Sequence, residues 1–236
     1  DIEAFLAKFA TTGYTKKSIS RKINSTKTFY RFLKVSEIIT DDPAALIEHP
    51  RYELKPPRIL APLEYRALRD ACREDARTSA IVEIFLQTGV RIAELSNLRL
   101  PNVKDSSLYI RPVEGHGERE VPLNRAANQA LARYLKSRPN TKNQSGDDYL
   151  FITKNGKSLL IRNIRTTIDR YFQLAGIEGA KVNDLRHTFI AHHLKRGASL
   201  MLISKLVGHK RISTTERYLE WVKDRAEEKG SVLTEL

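Results

Sequence analysis

Three prolines within eight residues, in Lys55-Pro56-Pro57-Arg58-Ile59-Leu60-Ala61-Pro62, divide this chain. Each pyrrolidine ring fixes φ, removes a backbone donor and disfavours helix in the residue before it, so no helix or central strand can run through the stretch. We expect residues 55–62 to link a small domain at 1–54 to a larger one at 63–236. A length of 236 residues allows either one large domain or this division, and a sizeable core in both cases. The start, Asp1-Ile2-Glu3-Ala4, has neither an initiator methionine nor the basic-then-apolar pattern of a signal peptide, so a trimmed N-terminus is expected.

In the small domain, Ile2, Phe5, Leu6 and Phe9 recur at helical spacing and Gly13 supplies a stop. A longer helix follows from Thr15, a good N-cap residue, with Ile19, Ile23, Thr26, Tyr30 and Leu33 on one stripe. A third, short helix is expected at Asp42-Pro43, where Asp can cap and Pro suits the first turn. The faces of the long helix away from its stripe carry Lys16, Lys17, Arg21, Lys22, Lys27, Arg31 and Lys34 without one acidic residue. No i,i+4 carboxylate balances them. Such a face is either simply solvated or meets phosphates, and its length and single sign favour phosphates, with Lys16, Lys17, Arg21, Lys22 and Lys27 as the candidate nucleic-acid contacts.

The whole chain has the same bias: 41 Lys plus Arg against 28 Asp plus Glu, a net charge of +13. An ordinary basic enzyme and a nucleic-acid-binding protein both fit that number, so placement of the charge has to decide. No apolar run approaches the roughly 20 residues of a membrane span, and no membrane partner is expected. The single cysteine, Cys72, rules out an internal disulfide and a cysteine-rich metal centre. It reads as a packed helix thiol, and a cytoplasmic location is expected.

Beyond the prolines, helices are predicted over residues 63–72 and 78–87, the second apolar nearly all round and ended by Gly89. Short strands are predicted at 107–111, 120–123 and 149–152, and helices again at 162–174, 185–196 and 200–206. The expected fold is mainly α with a small antiparallel β-sheet.

Four segments carry the chemistry: Thr88-Gly89-Val90-Arg91-Ile92-Ala93-Glu94-Leu95, Asn183-Asp184-Leu185-Arg186-His187-Thr188-Phe189, Leu206-Val207-Gly208-His209, and Ser213-Thr214-Thr215-Glu216-Arg217-Tyr218. Alone, each is weak: an arginine after a turn is usually a surface charge, and Tyr218 is one of nine tyrosines. Their order, with steps of 23 residues from Arg186 to His209 and 9 from His209 to Tyr218, is another matter. Together they resemble the catalytic domain of the tyrosine site-specific recombinases, the phage-type integrase family with its Xer-like members. The resemblance runs by motif from about Leu63 to Tyr218; the first sixty residues resemble more loosely a shortened form of the family's helical core-binding domain.

The resemblance implies a two-domain, C-shaped clamp on double-stranded DNA and strand exchange through a Holliday junction by a homo-tetramer on two sites. It implies Tyr218 as the nucleophile, which attacks phosphorus and retains the DNA 3′ phosphate, so that rejoining needs no ATP, metal or other cofactor. Arg91 and Arg186 correspond to the family's two arginines, suited to the charge that builds on the non-bridging oxygens. His209 is implied as a third donor or proton-transfer group, and Glu94 as the partner that orients Arg91. His187, His192 and His193 lack the i,i+4 spacing of a helical ligand pair and an acidic neighbour, which argues against a metal site.

Two positions depart from the family pattern. The first hairpin turn reads Gly115-His116-Gly117 where the family has Gly-Lys-Gly, and Asn183 stands where the family's His-x-x-Arg begins. His116 can still donate a proton and Asn183 a hydrogen bond to phosphate, so both remain site candidates. Lys154 and Lys157, in another turn, are expected to touch phosphate at most. The departures keep two other readings open, a catalytically weakened DNA-binding module and a type IB topoisomerase-like DNA relaxase. In the tail, Leu219, Trp221, Val222, Val232, Leu233 and Leu236 form an apolar set expected to dock on a neighbouring protomer.

Overall fold

The computed structural model describes residues 2–53, 55–112, 117–139 and 148–227. The chain forms two compact units, Asp1–Lys55 and Pro56–Leu236.

The first unit is built on α1 (Ile2–Thr11) and α2 (Lys16–Val35). Between them Gly13 takes a left-handed φ of 81°, and Thr15 caps α2 by accepting the Ser18 N–H at 3.3 Å. Leu6, Ile23 and Ala44 are buried, and buried Ser20 is hydrogen-bonded through Oγ to His49 Nδ1 at 3.0 Å. The expected third helix is absent: Asp42 Oδ1 does accept the Ala44 N–H at 2.9 Å, but residues 43–46 form turns. Pro50 disfavours helix at His49 and leaves fewer than two turns after Pro43, too few to repay nucleation.

The second unit continues with α3 (Pro62–Ala71), α4 (Ala76–Thr88), α5 (Ile92–Ser96), a 3-10 turn at Leu100–Asn102, strands β1 (Ser107–Ile110) and β2 (Arg119–Pro122), and then α6 (Arg125–Ser137), α7 (Ile161–Leu174), α8 (Val182–Lys195), α9 (Leu200–Val207) and α10 (Ser213–Glu227). Residues 56–61 are tied into this unit: Leu60 is buried and donates its N–H to Thr188 Oγ1 at 2.9 Å, and Ala61 donates to Glu64 Oε2 at 2.7 Å. Helix α4 lies at the centre, buried on every side from Thr78 to Leu86, and packs against α6, α7 and α8. Its periodicity is masked in the sequence because a helix buried all round has no polar face.

Strands β1 and β2 pair antiparallel, with Leu108 opposite Val121 and Ile110 opposite Arg119. The third strand expected at 149–152 is not formed. Tyr149 bridges Arg99 and Ile152 bridges Ser158, each as an isolated pair. The irregular segment at Leu98–Leu100 lies on one side and the turn after Thr153 on the other, so each pairing stops before a ladder begins. Helices α6 and α10 are elements to which the sequence reading assigns no helix, although Asn124 caps α6 and Ala127, Ala130, Leu131 and Tyr134 form its buried stripe. Among the described residues, no helix is long and apolar enough to cross a membrane.

Candidate active site

The site begins where α4 ends. Gly89 closes the helix at φ 61°, and a Cβ there would come within 2.5 Å of the Phe189 ring, so the reversal needs glycine both for its φ and for the close approach of α8. The chain turns directly into α5 with Arg91 at its N-cap. Glu94, one turn on, accepts the Arg91 backbone N–H at 2.7 Å through Oε2 and the Arg91 guanidinium at 3.1 Å through Oε1.

The last turn of α9 holds the arginines together. A helix end leaves its final carbonyls without intrahelical donors, and here three guanidinium groups serve them. Arg119 Nε donates to Leu206 O at 2.6 Å, Arg186 Nη2 to Val207 O at 2.7 Å, and Arg91 to Val207 O at 3.1 Å and Gly208 O at 2.6 Å. The second Arg186 nitrogen, Nη1, donates to the Gly89 carbonyl. Positive charge at the negative end of a helix is favourable. Gly208 then turns at φ 65°, close enough to the arginines that a Cβ would meet Arg119 Nη1 at 2.8 Å.

This turn delivers His209, whose Nδ1 is hydrogen-bonded to the fully buried Thr215 Oγ1 at 2.8 Å, leaving Nε2 for a ligand. From α10, Tyr218 is buried at 5% exposure, with its hydroxyl hydrogen-bonded to His187 Nδ1 at 2.6 Å. Its ring lies 6.3 Å from that of His209 and 5.3 Å from Trp221, centroid to centroid. An adjoining cleft of about 380 Å³ is lined by Gly117, Glu118, Arg119, Glu120, Ser204, Lys205, Gly208, His209 and Lys210.

Burial and the arginines set the charge states. Burial pushes the Tyr218 phenol up to about 12, against the pull of Arg186. It pushes His187 down to about 4, helped by Arg186, and His209 down to about 3, helped by Arg186 and Arg91. Arg186 itself falls to about 9 through burial and repulsion from Arg91. For Glu94, burial pushes the carboxyl up, but hydrogen bonds from Arg119 and the Arg91 N–H outweigh it and the net shift is down. The site therefore sets neutral histidines and a neutral phenol beside the Arg186 guanidinium.

Of the expected residues, Arg91, Arg186, His209 and Tyr218 come together here from four segments. Asn183 is exposed in the first turn of α8, on the same face as Arg186 three residues later. His116 lies outside the described residues. In the first unit, Lys16, Lys17 and Arg21 are exposed, whereas Lys27 donates to the Ala45 carbonyl at 3.0 Å and Lys22 sits 4.2 Å over the Phe9 ring. Lys154 and Lys157 are exposed on a turn. His192 and His193 stack edge to face, and among the described residues no group of three His, Cys, Asp or Glu side chains is placed to hold a metal ion.

Three site residues were not legible as such: Arg119, His187 and Thr215. Arg119 is one of 41 basic residues, and only its inward place beside Val121 in an alternating strand hints at a buried role. His187 and Thr215 act through contacts 31 and 6 residues away in sequence, and the first has no local signature.

Residues 58–225 match the phage integrase family. The tyrosine recombinase XerC of Anoxybacillus flavithermus is 31% identical over 236 residues, covering 95% of this chain and 78% of that protein. XerC of Natranaerobius thermophilus is 34% identical, covering 92% and 76%. Among solved structures, the XerA recombinase matches 99% of this chain and 83% of its own at a TM-score of 0.67 and 26% identity. The XerH site-specific recombinase, bound to a palindromic difH substrate in a post-cleavage complex, matches 96% and 70% at a TM-score of 0.78 and, at 21% identity, shares the fold. This chain belongs to the phage integrase family, the tyrosine recombinases.

Proposed function

We propose that this protein is a site-specific DNA recombinase that cuts and rejoins duplex DNA through a covalent bond between Tyr218 and a 3′ phosphate. The observation that carries the reading is the convergence of Arg91, Arg186 and His209 on the Gly208 turn beside a tyrosine hydroxyl bonded to a histidine. The XerC relatives, named tyrosine recombinases, support it.

The scissile phosphate takes its place against the arginines. Arg91 keeps its Nε–H and the second Nη2 hydrogen for the non-bridging oxygens, and His209 adds Nε2. As Tyr218 Oη bonds to phosphorus, these fixed donors stabilise the pentacoordinate state. The P–O5′ bond breaks, and the 5′ oxygen takes a proton that we assign to His116. Attack by a 5′ hydroxyl from another strand reverses the chemistry and frees Tyr218. Asn183 contacts a neighbouring phosphate, the 1–54 domain grips the duplex through α2, and four protomers on two duplexes exchange strands through a Holliday junction. Of the apolar tail set, Val222 is buried and Leu219 and Trp221 pack against the core of their own unit, so docking on the adjacent protomer falls to Val232, Leu233 and Leu236, which lie outside the described residues.

A duplex nicked just 3′ of the cleavage position traps the covalent complex, because the short 5′-hydroxyl fragment diffuses away. Wild type should accumulate a protein–DNA adduct stable to denaturant, and Tyr218→Phe none. A wild-type protein that binds such sites but forms no adduct is a DNA-binding module and not a recombinase.

A further inference from the structure

Tyr218 cannot attack as it stands. Its phenol is pushed up to about 12 by burial, so only about one molecule in 10⁵ would carry a phenolate at neutral pH. A group has to take the proton as the oxygen–phosphorus bond forms. His209 Nδ1 is engaged with Thr215 Oγ1, and its ring centroid lies 6.3 Å from that of Tyr218. Asn183 has an amide, which does not accept a proton at neutral pH. Glu94 is occupied by Arg91 and Arg119. The group on the Tyr218 oxygen is His187, one residue after Arg186 on α8, 2.6 Å away and held there by the packing of α8 against α10.

We propose that His187 is a catalytic general base, accepting the Tyr218 proton on Nδ1 during strand cleavage and returning it during ligation. The inference rests on the assignment of Tyr218 as nucleophile. In cleavage the Tyr218 O–H bond breaks, its proton passes to Nδ1, and the oxygen electron pair forms the bond to phosphorus. The P–O5′ bond breaks with its electrons leaving on the 5′ oxygen. In ligation the Tyr218–phosphorus bond breaks and the departing phenolate recovers the proton from the His187 imidazolium, so the residue ends as it began.

The surroundings fit a base that acts only when substrate is present. Without DNA, burial and the Arg186 charge hold His187 neutral and the phenol protonated, so no reactive phenolate is exposed to adventitious electrophiles. An entering phosphate brings negative charge beside Arg186, offsets the repulsion that this arginine exerts on the imidazolium, and supplies the electrophile that strips the phenol oxygen of its affinity for the proton. A packing role alone would require a ring of this size at position 187, and not a nitrogen within hydrogen-bond distance of the Tyr218 oxygen.

The test is single-turnover cleavage of the nicked duplex by wild type and His187→Asn, each with Tyr218 in its natural form or replaced site-specifically by fluorotyrosines of progressively lower phenol pKa. Asn retains a hydrogen-bond acceptor near Nδ1 but takes no proton. His187→Asn should bind DNA as wild type does, cleave about 10²–10⁴-fold more slowly, and regain at least tenfold with the most acidic fluorotyrosine. Wild type should change less than threefold across the series, because a base in place removes the need for prior ionisation. The wild-type series decides the matter if His187→Asn and the alternative His187→Gln both fail to fold. A wild-type rate that climbs severalfold per unit of phenol pKa overturns the proposal, as does a His187→Asn protein that cleaves within threefold of wild type. A wild type that forms no covalent adduct at all sinks the nucleophile assignment together with this inference, whereas normal wild-type cleavage with unimpaired His187 variants sinks this inference alone.

Discussion

Arg119 grips Glu94 fork to fork, with Nη1 on Oε1 at 2.8 Å and Nη2 on Oε2 at 2.7 Å, both side chains nearly sealed from water. The same carboxylate holds Arg91, and the same Arg119 holds Leu206 O in the last turn of α9. One buried carboxylate thus ties β2, α5 and the turn bearing His209 into a single unit. Glu94→Ala leaves Arg119 buried and unpaired and should cost about 3–5 kcal/mol, read as a lower midpoint in urea unfolding. A loss under about 1 kcal/mol would show that water reaches Arg119 and that the pair is not a structural tie.

Gly208→Ala tests the turn itself. The left-handed φ of 65° costs an alanine about 1 kcal/mol, and its Cβ would crowd Arg119 Nη1 and Arg91 Nη1 at 2.8 and 3.2 Å. The expected outcome is a protein that folds with a slightly lowered Tm and binds DNA, yet cleaves at least tenfold more slowly because both guanidinium groups are displaced. Cleavage at the wild-type rate would mean the arginines have room to adjust.

Acid should destabilise the free protein. His187 and His192, pushed down to about 4, and His209, pushed down to about 3, stay neutral in the fold while the unfolded chain binds protons below about pH 6.5. The unfolded state then holds more protons, so stability falls as pH drops from about 6.5 toward 4, by roughly 1 kcal/mol for each such histidine at pH 5.5. Thermal unfolding between pH 7.5 and 5 measures this, and a Tm that rises or stays level over that range contradicts the assigned charge states.

Of the five DNA-binding candidates on α2, Lys16, Lys17 and Arg21 are exposed, while Lys22 and Lys27 have partners within their own unit. Replacing those three by alanine should flatten the slope of log affinity against log salt by about 0.9 for each phosphate they neutralise in the wild-type complex. An unchanged slope removes this face from the DNA interface.

His116 is assigned the proton for the 5′ oxygen, and a duplex with sulfur at that bridging position isolates the role, because a thiolate leaves without a general acid. His116→Ala should lose about 10²–10⁴-fold on normal DNA and little on the sulfur duplex. Equal impairment on both places His116 in binding or structure.

How much of this was readable in the sequence depends on the range of each interaction. The α2 cap at Thr15, the Gly89 stop and the apolar wall of α4 are local patterns and stand where the residues predict them. Arg91, Arg186, His209 and Tyr218 were legible as a group because motif order marks them, and the fold brings the four together. The strand expected at 149–152 failed because its neighbours, and not its own residues, deny it a ladder. Arg119 and His187 carry no such mark, because their meaning comes from Glu94 and Tyr218, partners brought close only by the fold.

The proposed reaction makes a bond between one atom of this chain and DNA. Trapping the adduct on a nicked duplex, digesting it with protease and nuclease, and locating the nucleotide by mass spectrometry reads that bond directly. The expected result is a single modified peptide carrying a 3′-linked nucleotide phosphate on Tyr218. A 5′-linked nucleotide, or an adduct on any other residue, would contradict it.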